Sequence, residues 1–185
     1  MPLFRALVLL ASALLAGCGF QLRGAAPVPA AVQPLSVTCA DSVPNALCDG
    51  VRSQLRDGGV ELEAPGNRAH RLFLGSFRER RRASAITLDA ATAEYDLRQD
   101  VTLQLTAPDD VPLIASADIE ASEIYRYDDT NVLAKQREEE AIRTSLYQRL
   151  AQQVIFRLAP MTEDRVRAIR RQQATGEPSR DDQTP

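Results

Sequence analysis

A cysteine near the start of the chain has the surroundings that point most directly to a chemical modification. Residues 6–16 are apolar apart from one serine, Arg5 is the only charged side chain before them, and small residues lead into Cys18. This is the layout of a secretory signal peptide, with a thiol at the expected cleavage point. The apolar run is shorter than the ~20 residues that a transmembrane helix needs. We therefore expect residues 1–17 to be a signal peptide that is removed.

Residues 15–18, Leu-Ala-Gly-Cys, resemble the lipobox of bacterial lipoproteins. The alternative is an ordinary signal peptide with an incidental cysteine. The resemblance implies cleavage before Cys18 and acylation of its thiol and its new amino terminus. The residue after the cysteine is Gly19 and not aspartate, and this pattern resembles a signal for sorting to the outer membrane. The mature protein would then be anchored to a membrane by lipid and would not span it.

The densest basic cluster in the chain consists of Arg78, Arg80, Arg81 and Arg82. Guanidinium groups bind phosphate through paired, charge-assisted hydrogen bonds. At the two-residue period of a β-strand, Arg78, Arg80 and Arg82 would point from one face of a strand end. The cluster is therefore a candidate phosphate-binding site, and the alternative is a strand end that its charges keep soluble.

The overall charge of the chain limits the classes of partner. There are 22 basic and 25 acidic residues, which gives a formal net charge of −3. This balance argues against bulk attraction to nucleic acid or to an anionic membrane surface, so we expect no nucleic-acid partner. Contacts with phosphate must therefore come from a local cluster of cations.

Two further cysteines, Cys39 and Cys48, lie nine positions apart in a chain that enters an oxidising compartment. A disulfide is the expected pairing, and two unpaired buried thiols are the alternative. A zinc site is disfavoured because His70 is the only histidine and no CxxC spacing is present. We therefore expect no metal site.

No arrangement of nucleophile, base and orienting acid is apparent in the sequence. His70 lies beside an arginine and is expected at the surface, and no GxSxG motif is present. The acidic pairs at residues 109–110 and 128–129 coincide with expected turns, where aspartate commonly caps the backbone. We therefore expect a protein that is not an enzyme and that uses no cofactor.

The elements that position these residues follow from hydrophobic periodicity. Three prolines within residues 25–34 predict an extended tether, and residues 32–40 have the composition of a strand. A helix is expected to start at residues 41–44, where capping side chains precede a proline, and to stop at Gly58-Gly59. Its apolar face repeats every fourth residue, at Leu47, Val51 and Leu55.

The middle of the chain changes to a period of two residues. Residues 95–106 alternate between apolar and polar side chains, interrupted only by Gln99, and form the clearest predicted strand. Residues 71–80 and 114–127 are weaker strands on either side of it, and residues 108–110 form the turn into the second. The pattern predicts an antiparallel meander with one buried face.

A long helix is expected between the capping residues 128–131 and Pro160. Its apolar stripe recurs every fourth residue, at Ile142, Leu146, Leu150, Val154 and Leu158. Residues 162–173 predict a further short helix. The predicted fold class is α+β, with two helices packed on one face of a small, mostly antiparallel four-stranded sheet. Residues 1–17 are predicted to be a signal peptide and residues 18–34 a lipidated tether. Residues 35–160 are predicted to form one α+β domain, and residues 161–185 a short polar helix with a disordered tail.

Three blocks of sequence, taken in order, resemble the LptE family of lipopolysaccharide-assembly lipoproteins. The first block, residues 18–24, reads Cys-Gly-Phe-Gln-Leu-Arg-Gly and follows the lipobox directly. The second, residues 93–97, reads Ala-Glu-Tyr-Asp-Leu. The third, residues 133–138, reads Leu-Ala-Lys-Gln-Arg-Glu and leads into the helix of residues 146–153. Together the blocks are far more specific than the lipobox, which many unrelated lipoproteins share.

The resemblance implies a lipid-anchored domain on the periplasmic side of the outer membrane. Such a domain sits as a plug inside the LptD β-barrel, binds lipopolysaccharide and helps the barrel to assemble. Lipopolysaccharide phosphates would then be the ligands of the Arg78–Arg82 cluster. The resemblance also makes Lys135 a second candidate for contact with lipopolysaccharide or the barrel. The alternative is that Lys135 is a solvated residue whose charge is satisfied by neighbouring glutamates. The alternative for the whole protein is an adaptor that binds another envelope protein and no glycolipid.

Overall fold

A computed structural model describes residues 28–86, 92–128 and 132–175 of the chain, which form a four-stranded sheet and three α-helices. The strands are β1 (Leu35–Cys39), β2 (His70–Ile86), β3 (Thr92–Thr106) and β4 (Pro112–Asp128). The helices are α1 (Asn45–Asp57), α2 (Val132–Leu158) and α3 (Glu163–Thr175), and a 3₁₀ turn at Ala30–Val32 precedes β1. None of the helices in these ranges combines the length and hydropathy needed to cross a membrane. Cys18 and residues 129–131, where a helix cap is predicted, lie outside the described residues.

The strands are ordered β1-β2-β3-β4 across the sheet, so β1 and β4 are its edges. β1 pairs in parallel with β2, whereas β2, β3 and β4 form a long antiparallel meander. β1 and β2 can run in parallel because α1 crosses between them. The predicted α+β class and the mostly antiparallel sheet are confirmed.

The core lies between the sheet and helices α1 and α2. The helix residues predicted to face inward are fully or almost fully buried: Leu47, Val51, Leu55, Ile142, Leu146, Leu150, Val154 and Leu158. They meet buried residues of β2 and β3: Leu72, Leu74, Leu97, Val101, Leu103 and Leu105. Burying this apolar surface is the main free-energy gain of the fold, and it leaves the opposite face of the sheet to polar side chains.

Both ends of the fold differ from the sequence-based expectation. Part of the predicted tether is packed into the core, because Val28 and Val32 are buried. α1 begins at Asn45 with Pro44 as its N-cap, and no side chain caps it. α3 is not charged all round, since Val166 is buried and Gln173 donates a hydrogen bond to the backbone of Pro112.

A bulge in β2 decides which side chains face the helices. The register shifts between Gly75 and Arg78, and Ser76 has a φ of 40°. Before the bulge Leu74 points into the core, and after it Phe77 does so, packing edge-on against Tyr147 with ring centroids 6.0 Å apart. A shift of one residue moves every later side chain to the other face. The even-numbered arginines that follow therefore point away from the helices.

A disulfide joins Cys39, at the end of β1, to Cys48 in the first turn of α1, with a Cα–Cα distance of 6.3 Å. Closing this short loop restricts the unfolded chain, so reduction is expected to lower the free energy of unfolding by ~2 to 3 kcal/mol. Urea denaturation with and without reductant measures the difference, and a Cys39→Ala/Cys48→Ala variant, which should not respond to reductant, is the control. An unchanged midpoint after reduction of the natural protein would contradict the prediction.

Candidate functional site

The face of the sheet that points away from the helices carries an array of alternating charges, which we call the arginine face. Seven side chains from β2, β3 and β4 form it: Arg78, Arg80, Arg82, Asp96, Arg98, Asp100 and Glu120. Cross-strand pairing places Arg78 opposite Asp100 and Arg82 opposite Asp96. Because neighbouring side chains on one face lie close together, the acids orient the arginines as well as neutralising part of their charge.

Asp100 fixes two of the arginines. Its carboxylate accepts a hydrogen bond from Arg78 Nε at 2.7 Å and another from Arg80 Nη2 at 2.9 Å. The Asp100 side chain is only 6% exposed beneath them, whereas Arg78 and Arg80 remain 60% and 46% exposed. One buried carboxylate therefore holds two guanidinium groups at the surface in a defined geometry, with donors still directed to solvent.

The other two arginines differ in how they are paired. Arg98 bridges Asp96 at 3.2 Å and Glu120 at 3.1 Å. No carboxylate of the described residues lies within ion-pair distance of Arg82, which is exposed. Arg82 is therefore the arginine of this set whose charge no carboxylate of the described residues neutralises.

A small cleft of about 120 Å³ opens beside Arg82, lined by Arg80, Arg82, Asp96 and Arg98. One carboxylate oxygen of Asp96 receives the hydrogen bond from Arg98, whereas the other, Oδ1, is buried without a hydrogen-bond partner. The cleft therefore has one unneutralised guanidinium, that of Arg82, and one of its lining residues, Asp96, carries a buried unsatisfied acceptor. Sequence reasoning missed Arg98, Asp96 and Asp100 as site residues, because only the pairing of β2 with β3 brings them beside the arginines of β2.

Arg81 does not lie on the same face of the sheet as Arg78, Arg80 and Arg82. The expected cluster is also not at a strand end, because β2 continues to Ile86. Strand alternation places Arg81 on the helix side of the sheet, where its guanidinium lies 3.9 Å from the ring centre of Tyr95 and 3.6 Å from Glu139. Burial, together with a hydrogen bond to Glu139, raises the pKa of the neighbouring Tyr125 hydroxyl, which keeps it a donor. Arg81 therefore ties β2 to α2 and does not complete a phosphate grip.

Lys135 lies on α2, on the helix side of the sheet. Its ammonium donates to Glu138 at 2.7 Å, the local partner considered as the alternative for this residue. It also lines a shallow groove between α2 and β4, together with Tyr125 and Ile142. The structure thus separates Lys135 from the arginine face, so one phosphate group cannot contact both.

The residues considered for catalysis are a buried histidine and ion-paired acids of a turn. His70 is buried and not at the surface as expected, because β2 is central in the sheet, and this burial lowers the pKa of its imidazole. The acids of the β3–β4 turn are ion-paired, Asp110 with Arg71 and Asp109 with Arg170. Residues 28–86, 92–128 and 132–175 contain no grouping of histidine, cysteine and acids suited to hold a metal ion.

The fold and the arginine face together define a small α+β domain with a charged face on its sheet. A profile of the family described as LptE, lipopolysaccharide-assembly, matches residues 31–158, which is most of the described core. The chain therefore belongs to the LptE family.

Individual relatives agree with this assignment. The chain is 32% identical to a protein named LPS-assembly lipoprotein LptE from Pectobacterium atrosepticum, over 84% of each chain. It is 29% identical to a protein of the same name from Photorhabdus laumondii, over 77% of this chain and 78% of the relative. The crystal structure of a minor lipoprotein from Acinetobacter baumannii shares the fold, with a TM-score of 0.59 and 23% identity over 68% of this chain and 90% of that one.

Proposed function

We propose that this protein is an outer-membrane lipoprotein, anchored through Cys18, that binds lipopolysaccharide on the periplasmic side and acts with an LptD-type β-barrel in lipopolysaccharide assembly. Its role is binding and not catalysis, as a plug in the barrel and an aid to barrel assembly. Membership of the LptE family and the lipobox at residues 15–18 support the proposal. The name shared by the two relatives, LPS-assembly lipoprotein, agrees with it.

The exposed guanidinium of Arg82, which no described carboxylate neutralises, is the observation that carries lipopolysaccharide binding. In a chain with a net charge of −3, phosphate must be held by concentrated local cations. Arg78 and Arg80 are oriented in advance by Asp100, so less side-chain freedom is lost when they bind an anion. Arg82 supplies the charge that no described carboxylate neutralises.

Lys135 would serve a separate contact. Its position in the groove between α2 and β4 suits either a second part of the glycolipid or the barrel wall, since β4 is an edge strand of the sheet. Contacts on both sides of the sheet are what a domain enclosed by a barrel requires. Arg81, held between Tyr95 and Glu139, is proposed to position β2 and not to touch the ligand.

Titration of the purified lipoprotein with lipopolysaccharide at two salt concentrations tests the binding role. An Arg80→Gln/Arg82→Gln variant should bind about tenfold more weakly and with a smaller salt dependence, because two charge-assisted contacts are lost. Arg167→Gln, which removes an exposed arginine of α3 paired with Glu163 and Asp164 and lining neither the cleft nor the groove, is the matched control and should change affinity little. No binding by the unaltered protein would overturn the binding role and favour the adaptor.

Extraction of membranes with mild detergent tests the partnership with the barrel. Affinity purification of the full lipoprotein should recover a large outer-membrane β-barrel in a stable complex. Recovery of soluble or peptidoglycan-bound proteins in its place would contradict the LptD partnership.

A further inference from the structure

We propose that the cleft between β2 and β3 is a subsite for a phosphorylated sugar, which it recognises through the phosphate and a sugar hydroxyl together. This inference rests on the proposed function and specifies which chemical part of the glycolipid the arginine face takes. It is argued from the two unsatisfied groups of the cleft, Arg82 and Asp96 Oδ1.

The charges around the cleft indicate that one part of the ligand is anionic. Arg80 and Arg98 are shared with acids, while Arg82 has no carboxylate partner among the described residues. Side chains on one face repeat about every 6.6 Å along a strand and lie about 5 Å apart across strands, so two guanidinium groups can reach one phosphate. One unneutralised guanidinium beside two that are shared with acids suits a single phosphate group better than a polyanion.

The donor half of the ligand is set by Asp96. A carboxylate oxygen that is buried without a partner is unfavourable, and a ligand hydroxyl that donates to it removes this penalty. Oδ1 is buried, so a ligand hydroxyl reaches it only after a neighbouring side chain moves. Arg82 is exposed and lies opposite Asp96 in the register, which makes it the neighbour whose movement would open this path.

An apolar neighbour favours a sugar ring over a bare anion. Ile124 of β4 lies opposite Asp96 on the same face of the sheet and is 62% exposed. Sugar rings present C–H groups as well as hydroxyls, so Ile124 can cover part of a ring whose phosphate lies at Arg82. Inorganic sulfate satisfies the arginines but has no hydroxyl at neutral pH and no ring.

The test compares glucose 1-phosphate with sulfate as probes, titrated into the full lipoprotein in a non-ionic detergent. We expect glucose 1-phosphate to bind about tenfold more tightly than sulfate, and Arg82→Gln to weaken both. Asp96→Ala should reduce the preference for glucose 1-phosphate to less than about twofold, without weakening sulfate, because it frees Arg98 and removes the acceptor.

Glu120→Ala is the matched control, because Glu120 pairs with the same Arg98 but does not line the cleft. It should strengthen both probes equally and keep the preference between them. Equal affinity for the two probes, or a preference that survives Asp96→Ala in a folded variant, would overturn the subsite. If the same preparation binds lipopolysaccharide, the proposed function stands without the subsite, and if it does not, the proposed function itself fails.

Discussion

A Cys18→Ala variant is expected to incorporate no labelled fatty acid and to be lost from the outer-membrane fraction. The lipobox ends at Cys18, and its thiol and new amino terminus are the expected sites of acylation. Each buried methylene of an acyl chain contributes about 0.8 kcal/mol, so two or more chains anchor a protein stably where one does not. Removing the acceptor is therefore expected to be an all-or-none change.

Metabolic labelling, followed by fractionation of the two membranes, measures this effect. The Cys39→Ala/Cys48→Ala variant is the control, because it retains Cys18 and should still be labelled. Mass spectrometry of the natural protein should recover an acylated peptide that begins at Cys18. Label in the Cys18→Ala variant, or an unmodified Met1 in the natural protein, would contradict the lipoprotein assignment.

Features that depend on neighbouring residues in the chain could be predicted from the sequence. The alternation over residues 95–106 predicted β3. The recurrence of apolar residues at every fourth position from Ile142 to Leu158 predicted the buried stripe of α2. In both, a single period fixes which face is buried. The same reasoning placed Arg78, Arg80 and Arg82 together on one face.

Features that depend on pairing or on a local backbone shift could not be predicted. The bulge at Ser76 changes the face of every later residue in β2, and one residue with a positive φ leaves no clear signal in the sequence. The register that places Asp100 beneath Arg78 is set by tertiary packing. His70 was expected at the surface because the central place of β2 in the sheet follows from strand order, which periodicity does not reveal.

These unpredicted features decide the chemistry of the site. Without the bulge, Arg78 and Arg80 would point towards the helices, where unpaired guanidinium groups cannot be buried. Without the register, Asp100 could not orient them. The arginine face is therefore a product of how β2 and β3 are aligned, and the basic cluster in the sequence supplies only its charge.

The second large effect on stability is expected from the side chains that hold the amino-terminal half of α2 against the sheet. Arg143 of α2 donates from Nε to Glu79 of β2 at 3.0 Å and from Nη2 to Glu139 at 3.1 Å. Glu79 also receives a hydrogen bond from the fully buried Gln99, and Glu139 receives one from Tyr125. No residue of α2 before Ile142 is buried, so polar contacts replace apolar packing along this part of the helix.

An Arg143→Ala variant is expected to lose about 2 to 3 kcal/mol of unfolding free energy, because it leaves two half-buried carboxylates of like charge without their shared cation. Glu79 and Glu139 are only 27% and 18% exposed, so solvent screens them weakly. Urea denaturation with linear extrapolation measures the loss, and Arg137→Ala, on the exposed side of the same helix, should change it by less than about 0.5 kcal/mol. Equal effects of the two substitutions would show that Arg143 contributes only as a surface charge. A larger loss for Arg143 would establish that this network holds α2 against the strand that carries Arg78, Arg80 and Arg82.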